Sequence, residues 1–118
     1  MNKEELEQRT LEFALRVIRF VSTFPHNMVA DVLGRQLLKA GTSIGANYRE
    51  ANSAESRSDF IHKIAISAKE AAETVYWLAL CKLAPLGEPA ECAWLMAEAK
   101  ELLAIFTRSG KTAKANAE

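Results

Sequence analysis

Residues 36–80, QLLKAGTSIGANYREANSAESRSDFIHKIAISAKEAAETVYWLAL, decide the fold. In the first half, Leu37, Ala40, Ile44, Tyr48 and Ala51 recur at steps of three and four, the signature of one face of an α-helix. In the second half, Phe60, Ile64, Ala68, Ala71, Val75, Leu78 and Ala79 recur in the same way. Only Ala54-Glu55-Ser56 separates the two, and Ser56 followed by Asp59 resembles a helix-capping box. The stretch predicts two long helices joined by a tight turn. Gly41 and Gly45 fall inside the first of them, where each costs about 1 kcal/mol relative to alanine. Small residues four apart let a second backbone approach closely, so the spacing predicts tight helix packing.

Working outward, residues 4–24 carry Leu6, Thr10, Phe13, Val17, Phe20 and Phe24 on one stripe, widened by Ala14, Ile18 and Val21. Glu5, Arg9, Glu12, Arg16 and Arg19 take the opposite face, and Pro25 ends the helix. The next helix begins near Met28, with Val29 and Leu33 leading its stripe, and runs to about Ser53. The third runs to about Ala84. Pro85-Leu86-Gly87-Glu88-Pro89 is a turn, with Pro89 placed to open a fourth helix. Cys92, Leu95, Met96, Ala99, Leu102, Leu103 and Phe106 form that helix's stripe up to Arg108, and Gly110 reads as its stop. The pattern predicts an all-α, up-down-up-down antiparallel four-helix bundle over residues 1–108. A flexible, disordered tail is expected over residues 109–118.

The 118 residues suffice for one domain, and a hydrophobic fraction of 49% excludes an intrinsically disordered chain. Fifteen basic and fifteen acidic residues leave no net charge, which argues against indiscriminate polyanion binding. The distribution is uneven: residues 9–69 hold nine basic and five acidic residues, whereas residues 70–108 hold three and six. A basic side and an acidic side are therefore expected. Cys81 and Cys92 lack metal-ligand spacing and are expected to be free thiols. No leader precedes the charged start and no apolar run reaches the roughly 18 residues that span a bilayer, so a cytoplasmic location is expected.

Apolar residues also occur off the core stripes. Ile66, Trp77 and Leu80 share a face with Glu70 and Glu73, and Trp94 and Ile105 share one with Glu91, Glu98, Glu101 and Arg108. Aromatic anchors are enriched at protein interfaces, so these five are candidate oligomer contacts. The alternative is an irregular bundle that half-buries its tryptophans at helix edges.

Catalytic chemistry finds little purchase. The two histidines, His26 and His62, fall in a turn and on a polar face, with no nucleophile–base constellation around them. Di-iron bundles use paired Glu-x-x-His motifs, of which Asp59-x-x-His62 is one faint echo. No enzyme activity, metal or other cofactor is expected. A carboxylate site near Glu50 and Glu73 is the remaining enzymatic alternative. Arg16, Arg19, Arg35, Lys39, Arg49 and Lys63 form the candidate nucleic-acid-binding set, in competition with a solvated face of local ion pairs.

Gln36-Leu37, Lys39, Ser43-Ile44, Asn47, Glu50, Ser56, Phe60, Ala68 and Glu73 together resemble the bacterial four-helix-bundle family of proteins encoded in ribosomal RNA intervening sequences. That family also includes accessory proteins of diversity-generating retroelements. The resemblance spans roughly residues 5–108. It implies a left-handed antiparallel bundle that assembles as a homopentameric ring, and a role with RNA or DNA or with a nucleic-acid enzyme. Ser43, Asn47, Glu50 and Glu73 are the family's polar signature carried onto this chain, expected to form a network that sets the register of the second and third helices. The competing expectation is a structural or protein-interaction module with no nucleic-acid partner.

Overall fold

The computed structural model describes residues 1–117. Four helices follow one another: α1 (Lys3–Ser22), α2 (Met28–Asn52), α3 (Arg57–Leu83) and α4 (Pro89–Ala117). Each begins at a side chain that accepts from the otherwise unpaired N–H groups of its first turn. Asn2 Oδ1 accepts from Glu5 N–H at 2.8 Å, Asn27 Oδ1 from Ala30 N–H at 2.9 Å and Ser56 Oγ from Asp59 N–H at 3.1 Å. The Glu88 carboxylate does the same for Ala90 and Glu91. Among the described residues each helix packs on its sequence neighbours, and α4 closes the bundle against α1, giving a rod of 49 × 22 × 21 Å.

The core runs the length of the rod. Phe13, Leu37, Ile44, Ile64, Leu78, Leu95, Leu102 and Phe106 are fully buried, each contributing about 1.5–3 kcal/mol by leaving water. All six expected stripe residues of α1 are buried. The stripe of α2 differs at its start: Val29 is exposed and Ala30 takes the core position. That rotation places Gly34, Gly41 and Gly45 against α1. A methyl at Gly41 would sit 3.0 Å from a Val17 methyl, and one at Gly45 2.9 Å from Thr10 Oγ1. The expected close approach is therefore the α1–α2 contact.

In α3 the deepest positions are Ile64, Ser67, Ala71, Thr74, Leu78 and Cys81, while Phe60, Ala68, Val75 and Ala79 are half-buried. Ser67 and Thr74 fit the core because each hydroxyl has a partner. Ser67 Oγ donates to the Ile44 carbonyl across the α2–α3 contact at 3.1 Å, and Thr74 Oγ1 to Glu70 O at 2.7 Å. The α3–α4 turn folds back onto α1: Gly87 has φ +75° and lies so close to Phe20 that a Cβ would overlap its ring.

The expected tail is a correction. α4 continues through Gly110 to Ala117, and only Glu118 lies outside the described residues. The reason is cover for the first turns of α3. Ala113 is buried, and Gly110 faces Ile64 with room to spare. Cys81 and Cys92 are buried free thiols. Burial pushes the Cys81 thiol up to about 11 and raises that of Cys92, so both are poor nucleophiles at neutral pH.

Candidate nucleic-acid interface

Three of the six candidate cations are engaged within the bundle. Arg16 grips Glu91 of α4 with two donors, at 2.8 and 2.7 Å, and its guanidinium lies 3.4 Å over the centre of the Trp94 ring. Arg49 stands 3.8 Å from the Glu7 carboxylate, and Lys63 bonds Glu50 at 3.0 Å. These contacts show in the acid–base chemistry. Hydrogen bonding to Glu91 raises Arg16, the same bond lowers the Glu91 carboxyl, and Glu50 raises Lys63. Arg9, outside the candidate set, is the most engaged of all. It donates twice to Glu98, at 2.7 Å each, and once more to Glu101.

The expected separation into a basic and an acidic side gives way here. Two of the nine basic residues, Arg9 and Arg16 of α1, and three of the six acidic ones, Glu91, Glu98 and Glu101 of α4, face one another across one helix–helix contact. Their charge is spent inside the molecule.

Arg19, Arg35 and Lys39 make no ion pair among the described residues. Arg35 and Lys39 lie one turn apart on the exposed side of α2. Lys39 also lies close to α3. Burial and the neighbouring Glu73 raise the Glu70 carboxyl, while Lys69 and Lys39 pull it back. The cationic surface is therefore a short patch with carboxylates beside it.

Three of the four polar signature residues, Ser43, Asn47 and Glu50, share one edge of α2. Ser43 Oγ and Asn47 Nδ2 bond carbonyls of their own helix, at 2.6 and 2.9 Å, and Glu50 reaches Lys63 on α3. Glu73 is exposed on α3. The links that cross from α2 to α3 are thus Glu50–Lys63 and the Ser67 hydroxyl to Ile44 O. No cluster of three or more His, Cys, Asp or Glu residues able to hold a metal occurs among the described residues. No helix there is long and apolar enough to cross a membrane.

Of the candidate interface residues, Trp77 and Ile105 are half-buried against the core, Ile66 and Leu80 are half-buried, and Trp94 stays exposed beneath Arg16. Two features escaped the sequence reading. One is an open groove of about 990 Å³ between the end of α4 and the starts of α1 and α3, lined among others by Arg9, Arg57, Phe60, Glu101, Ile105, Arg108 and Ala113. It exists because α4 is longer than expected. The other is an exposed apolar ridge on α1, formed by Leu11, Leu15 and Ile18. Their spacing of four and three was there to be seen, but Ile18 was assigned to the core.

The architecture defines a class: a small antiparallel four-helix bundle with a polar edge on α2. Within that class, the sequence model of the 23S rRNA-intervening sequence protein family matches residues 2–108, and the chain belongs to this family. A comparison with curated proteins gives no match. Among solved structures, the chain is similar to a protein of unknown function from the S23 ribosomal protein family of Bacteroides thetaiotaomicron VPI-5482. The identity is 34%, the TM-score 0.85, and the match covers 94% of this chain and 99% of the other.

Proposed function

We propose that the protein is a non-enzymatic, homo-oligomeric bundle, a ring of five by the family resemblance, that binds RNA or DNA through the outward face of α2. The observation that carries this reading is the pair Arg35 and Lys39, which make no ion pair among the described residues while Arg9, Arg16, Arg49 and Lys63 are engaged. Two phosphate contacts per chain give a log–log salt slope of only about −1.8 on duplex, too little for useful affinity in a single copy. Copies held in one assembly present the patch repeatedly, and avidity supplies the rest. Cytoplasmic location and the absence of a cofactor belong to the same proposal.

The test is anisotropy of a labelled structured RNA across a salt series, with protein mass followed by light scattering. The expected result is binding at low salt and steep release as salt rises, with affinity lost in the Arg35→Glu/Lys39→Glu double variant and mass unchanged. Unchanged affinity in that variant overturns the nucleic-acid reading. The engagement of Arg16, Arg49 and Lys63 and the zero net charge favour the second reading, an interaction module with no polyanion partner. A stable oligomer indifferent to RNA at every salt concentration would establish that one instead.

A further inference from the structure

Leu11, Leu15 and Ile18 are 44, 41 and 42% exposed. They stand four and three residues apart, on the side of α1 away from the buried Phe13, Val17 and Phe20, so they form one outward ridge. Single exposed aliphatics are ordinary on a protein surface, but three in helical register form a patch. Beside the ridge lie Glu12 and Arg19. They are seven residues apart, about two turns, and therefore share one flank. Neither makes an ion pair among the described residues, and Glu12 accepts only from Gln8, at 3.1 Å.

We infer that this ridge packs against the same ridge of a second copy of the chain, antiparallel, about a two-fold axis at Leu15. In that arrangement Leu15 meets Leu15, and Leu11 meets Ile18 of the second copy. Glu12 comes across from Arg19 of the second copy, and the two-fold repeats the pair. An antiparallel pair about such an axis keeps matching flanks together, so both charge pairs form at once. The face is complementary to itself in apolar surface and in charge, which makes a second copy its occupant. Arg35 and Lys39 take no part.

The inference rests on the homo-oligomeric reading and adds a contact to it. Ring contacts join unlike faces, whereas this contact joins like faces, so in a ring of five it would couple two rings. A helix face about 30 Å long and about 10 Å wide is small beside the roughly 800 Å² per partner of a standard interface. One pair is therefore weak and its population rises with concentration, while several pairs between rings act in parallel.

Light scattering over a concentration series tests it, with helix content checked by circular dichroism. The expected result is an even number of chains per wild-type particle and a mass that Leu15→Glu halves. Glu12→Arg and Arg19→Glu should each weaken the assembly, and the double variant should restore it. A wild-type ring of five that Leu15→Glu leaves intact overturns the pairing while leaving the homo-oligomeric reading standing. A ring that Leu15→Glu breaks into monomers, or a double variant no better than the singles, also overturns it, because the ridge then meets a different face. A wild-type monomer at every concentration overturns both.

Discussion

The helix α1 is held on two sides by opposite means. Toward α2 the contact is made by absence: Gly34, Gly41 and Gly45 let the backbones close until Val17, Val21 and Thr10 touch the α2 helix surface. Toward α4 it is made by reach. There the helices stand further apart, and Arg9 and Arg16 span the gap to Glu98, Glu101 and Glu91, with Trp94 filling space beneath Arg16. The first contact tolerates no added atom and is indifferent to pH and salt. The second tolerates changes of volume but depends on charge. Tight packing and charged bridging are thus two ways to fix one helix, and each fails under different insults.

The largest effect should come from filling the tight contact. At Gly45 a Cβ would lie 2.9 Å from Thr10 Oγ1, 3.0 Å from Thr10 Cβ and 3.4 Å from its backbone carbon. Because Thr10 Cβ stays in place whatever the rotamer, no rotamer change relieves the clash. Gly45→Val should cost about 3 kcal/mol, the upper part of the range for overpacked cores, and lower Tm by about 10 °C. At Gly110 a Cβ meets only Ile64, at 3.7 Å, so the same substitution there should leave Tm within about 2 °C. Equal losses at the two sites, in thermal denaturation, would show that close approach does not set Gly45 apart, because helix propensity by itself favours the substitution at both.

A smaller loss should follow Arg9→Ala. The Glu98 side chain is only 12% exposed, so truncating Arg9 strands a mostly buried carboxylate. Leaving such a group unpaired costs about 1–3 kcal/mol. The companion Glu98→Gln removes the charge instead. In the Arg9→Ala background it should recover part of the stability, measured by urea unfolding. No recovery would mean that the alkyl stem of Arg9, and not its charge, holds α4 in place.

These two contacts also explain what could be read in advance. The α1 core stripe was legible because Leu6, Thr10, Phe13, Val17, Phe20 and Phe24 recur at steps of three and four, although Ile18, expected to widen it, lies on the exposed ridge. Close approach at Gly41 and Gly45 was legible because small residues four apart have few other uses. The α3 core was harder, since Ser67 and Thr74 look like surface residues until the carbonyls they bond are in place. Gly110 read as a helix stop, yet it is a site with spare room facing Ile64. The charged bridge was out of reach: Arg9 and Glu98 are 89 positions apart, and nothing local pairs them. For the same reason the candidate cations could be named but not sorted into engaged and free. That sorting, which left Arg19, Arg35 and Lys39, needed the fold.

The smallest effect isolates the electrostatic part of the α1–α4 bridge. Hydrogen bonds from Arg16 hold the Glu91 carboxyl below its ordinary value, against an opposing push from partial burial. A carboxyl depressed in the folded state stabilises fully above the unfolded value, about 4.3, and loses that contribution as pH falls through the lower folded value. Both side chains are about a third exposed, so solvent screening keeps the contribution under about 1 kcal/mol. Glu91→Gln should therefore be less stable than the parent chain by about half a kcal/mol at pH 7. The gap should shrink steadily below about pH 4, where the parent carboxyl takes up its proton. Urea midpoints at pH 7, 5, 4 and 3 measure it, and 1 M salt at pH 7 should narrow it too. No gap at any pH would mean that Arg16 holds α4 by lying on Trp94 and not through Glu91.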